Sequence, residues 1–328
     1  MGLQVTVLGA GLMGHGIAQV FATAGHDVVV VDINDKILGT VPDRIAASLA
    51  ELGIESGPVL GRIKLDASLK NAVSQCCVVI EAATETLDLK RALFKEIADA
   101  APATALLASN TSTIPITEIG RDLPDHARRR LVGLHWWYPP VLIPLVEVIA
   151  TDVLDPEYFD RAFQLMSSIG KDPVRVNRDI PGFIGNRLLH ALCREALSLV
   201  DSGVCDAETI DKVIKLSFGR RFPVLGPIEG IDLVGLELVR SVHSILFPHL
   251  ENSSEPSPLL DRLIDQNDLG MQTGKGLRKW TPEQIAETKC RLSAHLLTMT
   301  RKEKDYGCDS DTKTDIRSAS SVPRLTHA

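Results

Sequence analysis

His135 and Glu147 are the residues of this chain best placed to move a proton. They lie in the segment 133–149, GLHWWYPPVLIPLVEVI, where the histidine ends one apolar strand-like run and the glutamate sits inside the next. Pro139, Pro140 and Pro144 fall between them, so the connection turns or stays extended instead of going helical. Two strands joined this way bring an imidazole beside a carboxylate in apolar surroundings. There the carboxylate fixes the ring's tautomer and stabilises the imidazolium, while the imidazole exchanges protons in the neutral range. A buried histidine with a satisfied partner gives the same pattern in many protein cores, so the pair alone does not establish chemistry. The residues that precede it change the reading.

The N-terminus carries a strand-like run, LQVTVL at 3–8, that leads directly into Gly9, Ala10, Gly11, Leu12, Met13 and Gly14. A helical pattern through Ile17, Val20, Phe21 and Ala24 follows, and a second strand over 28–31 ends at Asp32. Strand, glycine turn, helix, strand and acidic residue stand in the order of a dinucleotide-binding unit. Gly9 permits the tight turn. Gly11, with the Leu12 and Met13 backbone, lets a pyrophosphate approach a helix N-terminus, and Gly14 lets helix and strand pack closely. Asp32 accepts hydrogen bonds from both hydroxyls of an adenine ribose and repels a 2′-phosphate, so the expected cofactor is NAD, not NADP.

These elements predict an α/β chain, a Rossmann-type doubly wound and mainly parallel sheet followed by an all-helical C-terminal domain. A helical arm is expected over 36–52, strands over 78–82 and 105–108, and an amphipathic helix over 87–98. The second of those strands opens into Ser109-Asn110-Thr111-Ser112, at the edge where doubly wound sheets bind ligands. Strand signals stop near Val176, and the stretch 177–182 reads as a linker. Helical periods follow over 183–200, 207–217, 235–247 and 258–267. The expected domains are a cofactor domain over 1–179, a helical substrate and dimerisation domain over 180–295, and a disordered polar tail over 296–328.

Composition narrows the function. With 328 residues, 45% of them hydrophobic, and a net charge of −7, the chain is a poor candidate for nucleic-acid binding. No apolar run approaches the ~20 residues that span a bilayer, and the first strand begins almost at Met1, which leaves no room for a leader. Six cysteines show no CxxC pair and no metal-ligand spacing. Cys76 and Cys77 read as small buried hydrophobes. A reduced, cytoplasmic setting is expected, with no metal site.

The chain resembles the L-3-hydroxyacyl-CoA dehydrogenases over about residues 5–280. The motifs that carry the likeness are GAGLMGHGIAQVFATAGHDVVVVD, EAATETLDLK at 81–90, SNTS at 109–112, the 133–149 segment, PGFIGNRLLHALCREAL at 181–197 and LGMQTGKG at 269–276. The resemblance implies His135 as catalytic acid–base with Glu147 as its orienting partner. It implies Ser112 and Asn186 at the substrate oxygen, Glu85, Lys90 and Asn110 at the cofactor, and a homodimer through the helical domain. Two departures concern the substrate. Tyr138 stands where most of the family has asparagine, and a phenol lacks the amide's paired donor and acceptor. The arm after Asp32 is short and poor in lysine, with Lys36, Arg44, Arg62 and Lys64 as its cations. The proline pattern after His135 is also similar to the branch with lambda-crystallin (a gulonate 3-dehydrogenase) and carnitine dehydrogenase. Three readings follow: a 3-hydroxyacyl-CoA dehydrogenase, the same chemistry on a free 3-hydroxy acid or 3-keto ester, or a non-catalytic NAD(H)-binding protein. Arg220 and Arg221 are candidates for an anionic substrate group or a solvated pair.

Overall fold

The computed structural model describes residues 2–307, with side chains to residue 300. Eight strands form one sheet: β1 (Gln4–Leu8), β2 (Asp27–Val31), β3 (Ile63–Asp66), β4 (Val78–Glu81), β5 (Leu106–Ser109), β6 (Leu131–Trp136), β7 (Leu145–Ile149) and β8 (Asp172–Val176). Their spatial order is β3-β2-β1-β4-β5-β6-β7-β8. Every neighbouring pair is parallel except β6 and β7. The order reverses between β1 and β4, so the crevice beyond their carboxyl ends is where a ligand has room to enter.

Near-continuous apolar strands such as VVVV in β2 and VVI in β4 are what a sheet covered on both faces requires. One face packs Ile17, Phe21, Ile45, Leu49 and Phe159 against the strands; the other packs Phe94, Ile97, Ile116 and Phe183. Cys76 is buried, and burial pushes its thiol up to about 11, which leaves it an inert filler.

Beyond Val176 every long element is helical: Gly185–Asp201, Ala207–Leu216, Pro227–Val234, Leu236–Leu246, Pro258–Asp265 and Pro282–Gly307. None of the first five buries a residue. Among the described residues, no helix is long and apolar enough to cross a membrane.

Four local expectations need correction. The arm is two helices, Asp35–Gly39 and Val41–Leu52, because Thr40 ends one and Pro42 sits in the first turn of the next. β3 escapes the sequence reading because IKLD is a short, half-exposed edge strand without an apolar run. The helix Pro227–Val234 is short and begins with a Gly-Pro step that reads as a turn. The boundary at 295 falls inside the helix Pro282–Gly307, whose polar composition hid it; residues 308–328 lie outside the described residues.

Candidate active site

The glycine turn is built by close contacts that exclude side chains. Gly9 has φ 97°, and a Cβ there would stand 2.5 Å from the Ala82 carbonyl oxygen. A Cβ on Gly14 would overlap the Gly9 carbonyl oxygen, whereas one on Gly11 would meet nothing within 4 Å. The turn is therefore closed on the protein side and open at Gly11, as an approaching pyrophosphate requires. Asp32 braces it: Ala10 N–H donates to Oδ2 at 2.8 Å and Asn34 N–H to Oδ1 at 2.8 Å. These residues fit a dinucleotide.

Antiparallel pairing of β6 and β7 sets His135 directly opposite Glu147. Nδ1 of His135 lies 2.7 Å from Glu147 Oε2, with the two side chains 4% and 1% exposed. A carboxylate acceptor there places the proton on Nδ1 and leaves Nε2 free of any partner among the described residues. The other Glu147 oxygen accepts from Ile184 N–H at 2.9 Å and Gly185 N–H at 3.1 Å, where the first long helix of the C-terminal part begins. Burial alone would raise the Glu147 pKa; the bond from His135 and those two N–H donors outweigh it and hold it low. Trp137 and Phe183 enclose the imidazole, at 5.3 and 5.5 Å between ring centroids. Phe183 is fully buried at φ 52°, a backbone state costing about 1–3 kcal/mol outside glycine. It holds because the ring is wedged against the histidine.

Ser112 is half-buried beyond the end of β5, and its carbonyl oxygen accepts from Asn186 Nδ2 at 2.9 Å. The loop around it hangs on Glu85. One oxygen, Oε1, accepts from Thr111 Oγ1 (2.6 Å), Ser112 N–H (2.8 Å), Thr113 N–H (3.0 Å) and Thr113 Oγ1 (3.2 Å). Lys90 is 1% exposed and bridges Glu85 Oε2 at 3.2 Å to Glu81 Oε1 at 2.7 Å. Glu81 in turn accepts from Ser109 Oγ at 2.6 Å. Lys90, expected at the cofactor, thus has its contacts within the protein. Asn110 Oδ1 likewise accepts from Trp136 N–H at 3.0 Å and ties β5 to β6.

Beside Asn186 and Thr113 opens a cleft of about 850 Å³ whose lining includes Arg187, His190 and Arg194. Tyr138 is 54% exposed, ahead of the cis bond to Pro139. Arg220 ends the 3₁₀ turn Phe218–Arg220, and Arg221 lines a separate groove with Phe222 and Val234. Sequence reading missed Trp137, Phe183 and Glu81 as parts of the site. The only sequence signal for Trp137 is its adjacency to His135, and for Phe183 the Gly182 before it.

The family profile described as 3-hydroxyacyl-CoA dehydrogenase, NAD binding domain, matches residues 4–180, and that of the C-terminal domain matches residues 182–280. A 5-formyl-3-hydroxy-2-methylpyridine 4-carboxylate 5-dehydrogenase of Mesorhizobium japonicum is 32% identical, covering 91% of this chain and 97% of the relative. Human mitochondrial hydroxyacyl-coenzyme A dehydrogenase is 36% identical over 84% of this chain and 91% of its own length. Among solved structures, an NAD⁺-dependent dehydrogenase of that same pyridine carboxylate superposes with TM-score 0.85 at 32% identity, covering 92% of this chain and 98% of the other. The Escherichia coli 3-hydroxybutyryl-CoA dehydrogenase gives 0.71 at 33% identity, over 85% of this chain and 60% of that one.

Proposed function

This chain belongs to the 3-hydroxyacyl-CoA dehydrogenase family, NAD-dependent oxidoreductases acting on an alcohol carbon, and on that premise we propose that it interconverts a 3-hydroxyacyl group and its 3-keto form with His135 as general acid–base. The observation that carries this is the His135 ring, anchored through Nδ1 on Glu147 with Nε2 left for a substrate proton. Bound NAD supplies the acceptor for the hydride that leaves the alcohol carbon. His135 Nε2 takes the hydroxyl proton in oxidation and returns it to the carbonyl oxygen in reduction. Glu147 stabilises the imidazolium between those events. Ser112, held by Asn186 at its carbonyl and by Glu85 at its amide, presents its hydroxyl to the substrate oxygen and fixes its line of approach.

A second reading, a free hydroxy acid in place of a thioester, rests on how the arm uses its cations. Arg62 pairs with Asp27 at 3.1 Å, and Arg44 is bound to the glycine turn, so neither is presented to a CoA phosphate. Arg187 and Arg194 line the cleft beside Asn186 together with Asp201, Glu251 and Glu255, so the free-acid reading rests on the arm and not on the cleft's charge. The name of the Mesorhizobium relative, a pyridine carboxylate, is in keeping with that. The deciding experiment follows NADH absorbance with acetoacetyl-CoA against free acetoacetate, a 3-keto ester, carnitine, gulonate and an aromatic carboxylate bearing an aldehyde. Turnover with the thioester alone eliminates the free-acid reading. Turnover with a free acid alone reverses the preference, and none with any substrate sinks both.

The same reading includes a homodimer. Leu188, Leu236 and Leu238 are 62%, 66% and 57% exposed on helices that bury nothing of their own. An apolar surface of that kind is covered by a partner, and the resemblance to the family points to a second copy of this chain.

A further inference from the structure

One cation of the arm has an unexpected position. Arg44, on the helix Val41–Leu52, extends its guanidinium to the glycine turn, donating to the Ala10 carbonyl at 2.8 Å and the Gly11 carbonyl at 3.1 Å. The nitrogen that reaches Gly11 also lies 2.7 Å from Nδ1 of His15, in the first turn of the helix Gly14–Thr23. No carboxylate pairs with Arg44 among the described residues. His15 Nδ1 must accept from the guanidinium, since Arg has no lone pair to offer. Burial, with the Arg44 charge added, lowers the His15 pKa against the opposing pull of the Gly11 carbonyl, so the ring is held neutral as that acceptor. Nδ1 also lies 2.8 Å from the Gly11 oxygen, a contact in which the other tautomer would be the donor.

Trans peptide planarity gives this a consequence on the other side of the turn. The carbonyl of one residue and the N–H of the next point in opposite directions. By drawing the Ala10 and Gly11 carbonyls toward the arm, Arg44 aims the N–H groups of Gly11 and Leu12 away from it. Neither these nor the Met13 N–H has an acceptor among the described residues. They precede a ten-residue helix, and a Cβ at Gly11 among them would meet nothing within 4 Å. Such N–H groups and the positive helix end draw an anion, and an unneutralised guanidinium a peptide away adds to that pull.

The geometry points to Arg44 and His15 as residues of the cofactor site: a guanidinium that locks the glycine turn in its anion-binding shape and adds positive charge beside the pyrophosphate of NAD. The arm's cation serves the cofactor, and His15 is the fixed acceptor that holds it in place.

Binding of ADP-ribose and NADH to the full chain, by calorimetry and nicotinamide fluorescence at low and high salt, tests this. Arg44→Met is expected to weaken both about tenfold, the order of a charged hydrogen-bonded contact. Its affinity should also depend less on salt than that of the wild type. Arg44→Lys keeps the charge but loses the fork, so it should restore the salt dependence while recovering only part of the affinity. Affinities within twofold of wild type overturn the proposal. A loss with unchanged salt dependence also overturns it, because a merely structural contact would do that. Should Arg44→Met not fold, Arg44→Lys decides alone: severalfold weaker ADP-ribose binding supports the role, and equal binding removes it.

Discussion

At His135 the two ring nitrogens have different surroundings, Nδ1 on Glu147 and Nε2 without a partner among the described residues, and the proposed acid–base role can be read in a substitution. His135→Ala is expected to lose turnover by about 10²–10⁴ while still binding NADH, because it removes the proposed proton carrier and leaves the glycine turn intact. Stopped-flow turnover alongside NADH fluorescence checks both halves. Glu147 gives a pH signature. Its carboxyl is held below the ordinary carboxylate value of 4.5, so the folded state binds that proton less readily than the unfolded chain. Its contribution to stability is therefore complete above pH 4.5 and is lost as pH falls through the lower folded value. Glu147→Gln should be less stable than wild type at neutral pH, with the gap narrowing below pH 4.5, as followed by denaturant unfolding across that range. A gap independent of pH would mean that the carboxylate's charge is not what stabilises the pair.

The carboxyl ends of β4 and β5 and the helix Leu87–Ala100 meet in one ionic chain, Glu81–Lys90–Glu85, buried at Glu81 and Lys90 and exposed at Glu85, which holds the Ser112 loop by four bonds. The chain spans elements, so its removal should disturb more than a single contact. Lys90→Met leaves Glu81 buried at 0% exposure without its cation and is expected to cost about 3–5 kcal/mol in urea unfolding. It should also lower kcat by releasing the loop. Normal stability in that variant would show that Glu81 finds compensation elsewhere. Gly185 is a second junction, since a Cβ there would overlap the Trp137 ring that packs on His135.

For the molecule as a whole, the unburied helices after Gly185 govern behaviour in solution. Leu238 and Val242, one turn apart on the helix Leu236–Leu246, line an apolar groove with Phe222, Ile231 and Val234. Light scattering is expected to give twice the mass of one chain at micromolar concentration. Leu238→Asp should shift that population toward single chains with a lower melting temperature. A monodisperse single chain for the wild type would eliminate the homodimer. Across the two halves, Glu147 accepts from Ile184 N–H and Asn186 donates to the Ser112 carbonyl, so the strands that carry His135 and Glu147 are tied to the helical part.

Much of this was written in local pattern. The order of strand, glycine turn, helix, strand and Asp32 specified the shape of the turn, because close approach and charge sign are set by single residue types at fixed spacing. The β6–β7 pair was legible for the same reason: two apolar runs around prolines leave few registers, and one of them faces His135 with Glu147. What folding in three dimensions decided has no period to read. Glu85 holds a loop 27 residues away, Glu147 a backbone 37 away, and Arg44 a turn 33 away. In sequence Glu147 is legible as the partner of His135 and Glu85 and Lys90 as cofactor candidates, but nothing there marks these partnerships or that of Arg44. Each of these partnerships depends on which element ends meet at the sheet's carboxyl edge, and hydrophobic packing of distant segments settles that before any charge can find its partner.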